Sequence, residues 1–360
     1  MRTIFLVHSL RKGGAERLVL ELASSIQCTS ITVISWLDNL EFLEEEYKNI
    51  KVISLIKKDE YRWIYSFISS SRKLKSIFKS TSPDNVLIFS HSVFWLAFLT
   101  KFKTKYIYVI QGFSQLSASR GYKKSIFRII DMIVLRMLRC SIITPTNELA
   151  EEAKKYFSIN RNKLEVIPNG VEVGSLKNLN FRNKEEFIIT MLGTLSEHKG
   201  QHLAVDIIKK VSIEFPNIKL KIIGEGSFKS KLQDKIDKKD LRHNIFLLGR
   251  RDDAFNLLQD SDLFLHLSLS EGMPLAVIEA MMCGLPIVAF DVSGVRDVVS
   301  DNGYLCEYGD LESIGSKISE LLRDENLRNL MSKSSQKIAM KSYSKNKMVL
   351  TYNSYLERLI

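Results

Sequence analysis

The stretch Ser268-Leu269-Ser270-Glu271-Gly272-Met273-Pro274-Leu275-Ala276-Val277-Ile278-Glu279-Ala280 decides how this chain is read. It follows a short apolar run, residues 263–267, with the length and composition of a buried strand. Gly272 and Pro274 form a turn. Residues 275–283 then read as a helix with Pro274 near its first position, where a missing N–H costs nothing. Glu271 stands just before that helix and Glu279 about two turns into it. A strand that passes through a glycine turn into a helix start offers free backbone N–H groups and a positive dipole end, a setting for phosphate or another anionic oxygen. Carboxylates repel phosphate, so hydroxyls are the better partners for the two glutamates. Amides for phosphate and acids for hydroxyls together describe a sugar nucleotide. Taken singly, the same glutamates read as a helix-start acid and a surface acid.

The pattern recurs on both sides of this stretch. Towards the C-terminus, the strand 286–290 runs into Gly294-Val295-Arg296-Asp297. Towards the N-terminus, residues 244–248 end at Gly249-Arg250 and residues 218–223 at Gly224-Glu225-Gly226. Residues 187–192 end at Gly193-Thr194-Leu195-Ser196-Glu197-His198-Lys199-Gly200. Lys199 can neutralise phosphate as a point charge, whereas His198, a lone loop histidine, receives no role. Helices are expected between these strands, then over 310–323, 325–341 and 345–359. Residues 178–186 are polar without a hydrophobic period and read as a linker.

The first half repeats the alternation. A strand over 3–7 leads through a loop to Gly13-Gly14-Ala15-Glu16-Arg17 and a helix, but no G-x-G-x-x-G is present, which argues against a dinucleotide fingerprint. Strands follow at 31–36, 52–55, 86–89, 106–110, 142–144 and 166–167. Ser90-His91-Ser92 and Gln111-Gly112-Phe113 are polar tips after two of them, at strand ends where open α/β sheets place ligands. Residues 61–79 and 120–140 read as basic helices with apolar stripes. The fold class is therefore α/β, with two doubly wound, Rossmann-like parallel-sheet domains and a ligand cleft between them. The domains span 1–172 and 173–343, followed by a last helical segment, 344–360.

Composition narrows the function classes. At 360 residues the chain exceeds one ordinary core. Cys28, Cys140, Cys283 and Cys306 are scattered, without a Cys-x-x-Cys pair, so neither a zinc site nor a disulfide framework is indicated and a reducing, cytoplasmic setting is expected. The start lacks the apolar core of a signal peptide, and no apolar run reaches the roughly 18 residues of a membrane span. The net charge of +11 is uneven: residues 57–139 hold 16 basic and 4 acidic residues. Such a segment reads either as a solvated charged face or as an anionic membrane surface's partner on the inner side of the membrane. No nucleic-acid-binding motif accompanies the charge, so nucleic acid is not expected.

Together these residues resemble the retaining glycosyltransferases of family 4, also called glycosyl transferases group 1, which have the GT-B fold. Glu271-x7-Glu279 within Ser-Glu-Gly-Met-Pro-Leu carries the resemblance. It is supported in family order by Gly13-Gly14-Ala15-Glu16-Arg17, Pro168-Asn169-Gly170-Val171, Gly193-Thr194-Leu195 with Lys199-Gly200, Gly224-Glu225-Gly226 and Gly284-Leu285-Pro286. The resemblance implies an acceptor-binding first domain, a donor-binding second domain and a last helix that crosses back to the first. It implies transfer of a sugar from a nucleotide diphosphate sugar to a saccharide acceptor, with anomeric configuration kept and no metal needed; the basic first half adds the expectation of a lipid-linked acceptor, in bacterial surface polysaccharide synthesis. Glu279 would hold the ribose hydroxyls. Glu271 with Gly272, Met273, Pro274 and Leu275 would hold the donor sugar and its phosphate. Lys199 would neutralise the leaving diphosphate. Gly14, Gly193, Gly224 and Arg250 would line the donor. Thr194 stands where the family often has arginine, with Arg296 or Arg11 as substitutes, and Gln111 where it often has histidine, with His91 after the neighbouring strand. The alternatives left open are a sugar-nucleotide epimerase, a phosphorylase, or a non-catalytic partner subunit on the same fold.

Overall fold

The computed structural model describes residues 1–11, 13–38, 47, 50–57, 63–112, 122–172, 174 and 186–359, with side chains for all but 63, 64 and 122–125. Two compact units emerge: residues 1–169 with 346–360, and residues 170–345. The expected linker is almost wholly outside the described residues; only Glu186 is inside them.

The first unit is a seven-stranded sheet in the order β3-β2-β1-β4-β5-β6-β7. The strands are β1 (Arg2–Val7), β2 (Ser30–Asp38), β3 (Lys51–Lys57), β4 (Asn85–Ile88), β5 (Lys105–Val109), β6 (Ser141–Thr144) and β7 (Leu164–Val166). All pairs are parallel, with Phe5 of β1 in register with Val33 and Leu87. The central strands read as unbroken apolar runs because helices cover both faces. Strand order reverses between β1 and β4. With the right-handed crossovers usual for parallel strands, this order puts α1 (Gly14–Ser25) on one face, and α2 (Trp63–Thr81), α3 (His91–Thr100), α4 (Tyr122–Met137) and α5 (Asn147–Phe157) on the other. The neighbour contacts α2 with α3, α3 with α4 and α4 with α5 agree with that layer.

The second unit is a six-stranded parallel sheet, β10-β9-β8-β11-β12-β13. Its strands are β8 (Phe187–Leu192), β9 (Ile218–Ile223), β10 (Ile245–Gly249), β11 (Leu263–His266), β12 (Ile287–Phe290) and β13 (Gly303–Cys306). Helices α6 (Gln201–Glu214), α7 (Lys229–Lys238), α8 (Ala254–Gln259), α9 (Leu275–Met282), α10 (Leu311–Arg323) and α11 (Glu325–Ser342) surround it. The last helix, α12 (Lys345–Glu357), belongs mostly to the first unit. Asn353 Oδ1 accepts from Gln27 N at 2.9 Å, Arg358 pairs with Glu165 at 2.9 Å, and Tyr352 and Leu356 are buried.

Four elements differ from the sequence reading. Helix α3 was not anticipated, because its apolar residues surround it and leave no helical period. Strand β13 was not anticipated either; it is a four-residue strand that opens on glycine and, among the described residues, pairs with β12 alone. Helix α4 is shorter than 120–140, ending at Met137 with Arg139 at φ 50°, a left-handed stop. Pro274 sits at the N-cap of α9, with extended ψ of 102°, one position earlier than expected.

Candidate functional site

Because the second sheet is parallel, β8, β9, β11 and β12 end at one edge, and the loops leaving them are joined through backbone. Gly193 N donates to Ile223 O and Leu195 N to Glu225 O, each at 3.0 Å. Gly224, at φ 142°, is so close to Gly193 O that a Cβ would collide with it. Gly200, at φ 69°, abuts Leu267 O in the same way. Both positions require the left-handed backbone and the missing side chain of glycine. The loop from Gly193 to Gly200 is then fastened to the turn after β11. Leu269 N donates to His198 O at 2.9 Å, and His198 Nε2 meets Ser270 O at 2.9 Å. Gly294, beyond β12, packs on the carbonyls of Glu271 and Gly272.

This scaffold brings together two side chains that are 72 positions apart: Lys199 Nζ donates to Glu271 Oε1 at 2.5 Å. Glu271 is 12% exposed and Lys199 30%. His266, the last residue of β11 and itself buried, lies with Nε2 3.2 Å from the same oxygen, at an angle that makes no hydrogen bond. Burial alone would raise the Glu271 pKa; the contacts with His266 and Lys199 outweigh it and hold the carboxyl well below the usual carboxylate range. Glu271 is therefore an anion at neutral pH, held by two basic side chains.

Gly272, Met273 and Pro274 are buried, and Leu275 is half-buried. Pro274 O is the first acceptor of α9, taking Val277 N at 3.1 Å and Ile278 N at 3.2 Å, so the amides of Leu275 and Ala276 lie ahead of the helical ladder. Glu279 shares the half-open side of α9 with Leu275, one turn on, while Val277, Ile278 and Ala280 are buried. Ser268 Oγ and Ser293 Oγ, after β11 and β12, are buried with no hydrogen-bond partner among the described residues. Native structures rarely leave such groups unpaired, so they suit a polar ligand or an ordered water. Thr194 is exposed, its carbonyl accepting from Gln201 Nε2 at 3.0 Å, and Arg250 is exposed directly after β10. Arg296 pairs with Asp291 at 2.5 Å.

The equivalent edge of the first unit is held by side chains. His8 Nδ1 is 2.9 Å from Ser92 Oγ, and burial, then Arg11, lowers the His8 pKa. His91, the first residue of α3, has Nε2 2.9 Å from both oxygens of Asp131, which is fully buried. Trp95 Nε1 donates to Asp131 at 2.6 Å and the Tyr156 hydroxyl at 2.8 Å. Gln111 Oε1 accepts from Asn169 Nδ2 at 2.9 Å. His91 and Gln111 thus follow adjacent strands but engage different partners. Gly14 opens α1 and is exposed. Sequence reasoning missed His266 and Asp131. The signals were one ionisable residue in the apolar run 263–267 and one acid in a basic helix.

Comparison with known proteins adds to this geometry. The model of "Glycosyl transferases group 1" matches residues 175–338, and that of "Glycosyltransferase Family 4" matches residues 12–174. A UDP-Gal:alpha-D-GlcNAc-diphosphoundecaprenol alpha-1,3-galactosyltransferase of Escherichia coli is 30% identical over 63% of this chain and 62% of its own. The O-antigen biosynthesis glycosyltransferase WbnH of Escherichia coli is 27% identical over 94% of this chain and 96% of its own. Among solved structures, Anabaena Alr3699/HepE in complex with UDP superposes with a TM-score of 0.84 at 18% identity, covering 99% of this chain and 100% of that one, a likeness of fold.

Proposed function

The chain belongs to the family 4, group 1 glycosyltransferases, and we propose that it moves a sugar from a uridine diphosphate sugar to a lipid-linked saccharide in bacterial surface polysaccharide synthesis, at the cytosolic face and with retention of anomeric configuration. The observation that carries this reading is the Lys199–Glu271 pair, set in a glycine-fastened turn at the start of α9. A cation from the loop after β8, brought against a charged carboxylate and the leading amides of α9, suits a diphosphate and a polyol together. The Anabaena protein has been solved with UDP and with UDP-glucose, and the Escherichia coli galactosyltransferase is named for a diphosphoundecaprenol acceptor.

In this reading the diphosphate takes the ammonium of Lys199 away from Glu271, and His266 remains as the carboxylate's basic neighbour. Glu271 then accepts hydrogen bonds from sugar hydroxyls, and Glu279 from the ribose. The bond between the anomeric carbon and the phosphate oxygen breaks, and the bond to the acceptor oxygen forms on the same face. The acceptor's proton goes to the departing phosphate, because the Gln111 amide cannot serve as a base. Lys199 and the amides at the start of α9 stabilise the negative charge that builds on the diphosphate. They also make a divalent metal unnecessary, so transfer is expected to persist in EDTA.

The test is a thermal-shift screen of UDP-, GDP- and ADP-sugars, since a ligand that binds only the folded form raises its melting temperature. The stabilising donor is then supplied with a lipid-diphosphate saccharide, and the product's anomeric configuration is read by NMR. Stabilisation by UDP-sugars and an α product from an α donor are expected. No stabilisation by any nucleotide sugar would overturn the reading.

A further inference from the structure

Helix α4 covers the sheet with one side and presents an apolar side to solvent. Val134 and Leu135 are buried against the core, and Asp131 is buried with them. Ile126, Ile129, Ile130, Ile133 and Met137 are between 37% and 66% exposed. At 3.6 residues per turn those five side chains share an arc of about 100°, so they form one stripe rather than scattered surface residues. A stripe of this kind is unusual on a water-facing helix, whose outer side is normally polar. The layer continues the feature. Helix α3 adds Leu99, 41% exposed, and α2 adds Tyr65 and Ile68, 79% and 45% exposed.

Cations accompany the stripe. Arg136 on α4 and Arg139 just beyond it are exposed. On α2 the line from Tyr65 and Ile68 continues at helical spacing through exposed Arg72, Lys75 and Lys79. Of the two acids between 63 and 139, Asp131 is buried under its hydrogen bonds and Asp84 pairs with Arg2. The surface is therefore apolar with a cationic border and no exposed, unpaired acid among its helices.

We propose that the outer side of the α2–α3–α4 layer, centred on the isoleucine stripe of α4, seats this protein on an anionic lipid bilayer. The isoleucines enter the boundary between headgroups and acyl chains, and the arginines and lysines meet the lipid phosphates, as on interfacial helices. The charge border selects the bilayer over a neutral apolar partner, since each cation gains only where the facing surface is negative. This is a property of the first unit's surface, separate from the donor turn, and it holds whichever sugar is transferred.

The experiment is co-sedimentation of the full chain with vesicles of phosphatidylcholine alone and of phosphatidylcholine with 30% phosphatidylglycerol, at low and high salt. The wild type is expected to bind the anionic vesicles at least tenfold better than the neutral ones, and less well as salt screens the charges. Ile129→Asp with Ile133→Asp should lower binding at least tenfold while the protein melts and responds to UDP as before, because both positions are exposed. Arg72→Glu with Lys75→Glu, on a different helix, should weaken binding and flatten its salt dependence. Absence of vesicle binding, or binding untouched by the isoleucine pair, overturns the proposal. So does a dimer that forms through the stripe and dissociates on the same substitutions, which would assign the surface to a second copy of the chain. The UDP response keeps this result distinct from the proposed reaction: failure of nucleotide binding leaves the vesicle result standing, and the reverse also holds.

Discussion

The two units end their sheets in different ways. In the second unit the loops after β8, β9, β11 and β12 are fastened by backbone, through Gly193, Gly200, Gly224 and Gly294. In the first unit the tips after β1, β4 and β5 have backbone bonds to neighbouring strands, such as Leu37 N to His8 O at 2.9 Å, but the links from tip to tip and to the helices are made by side chains: His8 to Ser92, His91 to Asp131, and Gln111 to Asn169. A backbone scaffold fixes amides and carbonyls and suits a ligand group that does not vary, such as a diphosphate. A side-chain scaffold can change with each substitution, which suits a variable acceptor. The difference predicts that the second unit's edge tolerates little change, and that changes at His91, Gln111 or Asp131 in the first unit leave nucleotide binding intact.

The largest effect is expected at Lys199. Lys199→Ala should lower kcat/KM for transfer by about 10²–10³-fold, the usual cost of one lost charge-stabilising donor, as measured in steady-state kinetics. Next is Gly200→Ala, which forces a Cβ into Leu267 O at positive φ. A loss of about 2–3 kcal/mol in denaturant unfolding is expected, together with weaker nucleotide binding, because the displaced loop carries Lys199. Asp131→Ala in the first unit strips a buried acceptor from His91, Trp95 and Tyr156 and should cost about 1–3 kcal/mol, with UDP affinity unchanged. Weakened UDP binding in that variant would break the comparison between the units. The smallest effect concerns acid. Glu271 has a depressed pKa in the folded protein, so as pH falls below about 4 the unfolded chain takes up the proton first. The stability that Glu271 contributes is present above that range and lost as pH falls towards its folded pKa. Glu271→Gln should show a shallower loss of melting temperature there than the wild type.

How much the chain disclosed in advance follows the same division. The glycine turns were readable because only glycine satisfies the close backbone approaches at Gly200 and Gly224, so the structural need is written in the residue itself. Lys199 and Glu271 were readable as separate candidates, and their 2.5 Å contact could be seen only in the fold. His266 was hidden, because a histidine at the end of a buried strand has the same local signature whether it packs or pairs. Helix α3 was hidden because it is apolar on every side. The Asp131 cluster joins residues from α3, α4 and α5, which no spacing rule connects. The basic character of 57–139 was plain, but the exposed isoleucine stripe was not, since a period of apolar residues does not say which face of a helix the core will take.

The central claim is that Glu271 holds Lys199 in reserve and the nucleotide diphosphate takes it over. Calorimetric titration of UDP into wild type, Lys199→Ala and Glu271→Gln tests it most directly, because UDP has the diphosphate but no donor sugar for Glu271 to bind. Lys199→Ala should weaken UDP by about 10–100-fold, the worth of a charge-assisted contact. Glu271→Gln should bind UDP more tightly than wild type, since the competing anion is gone, while losing transfer. Equal UDP affinity in wild type and Lys199→Ala, or weakening by both substitutions alike, would contradict the account.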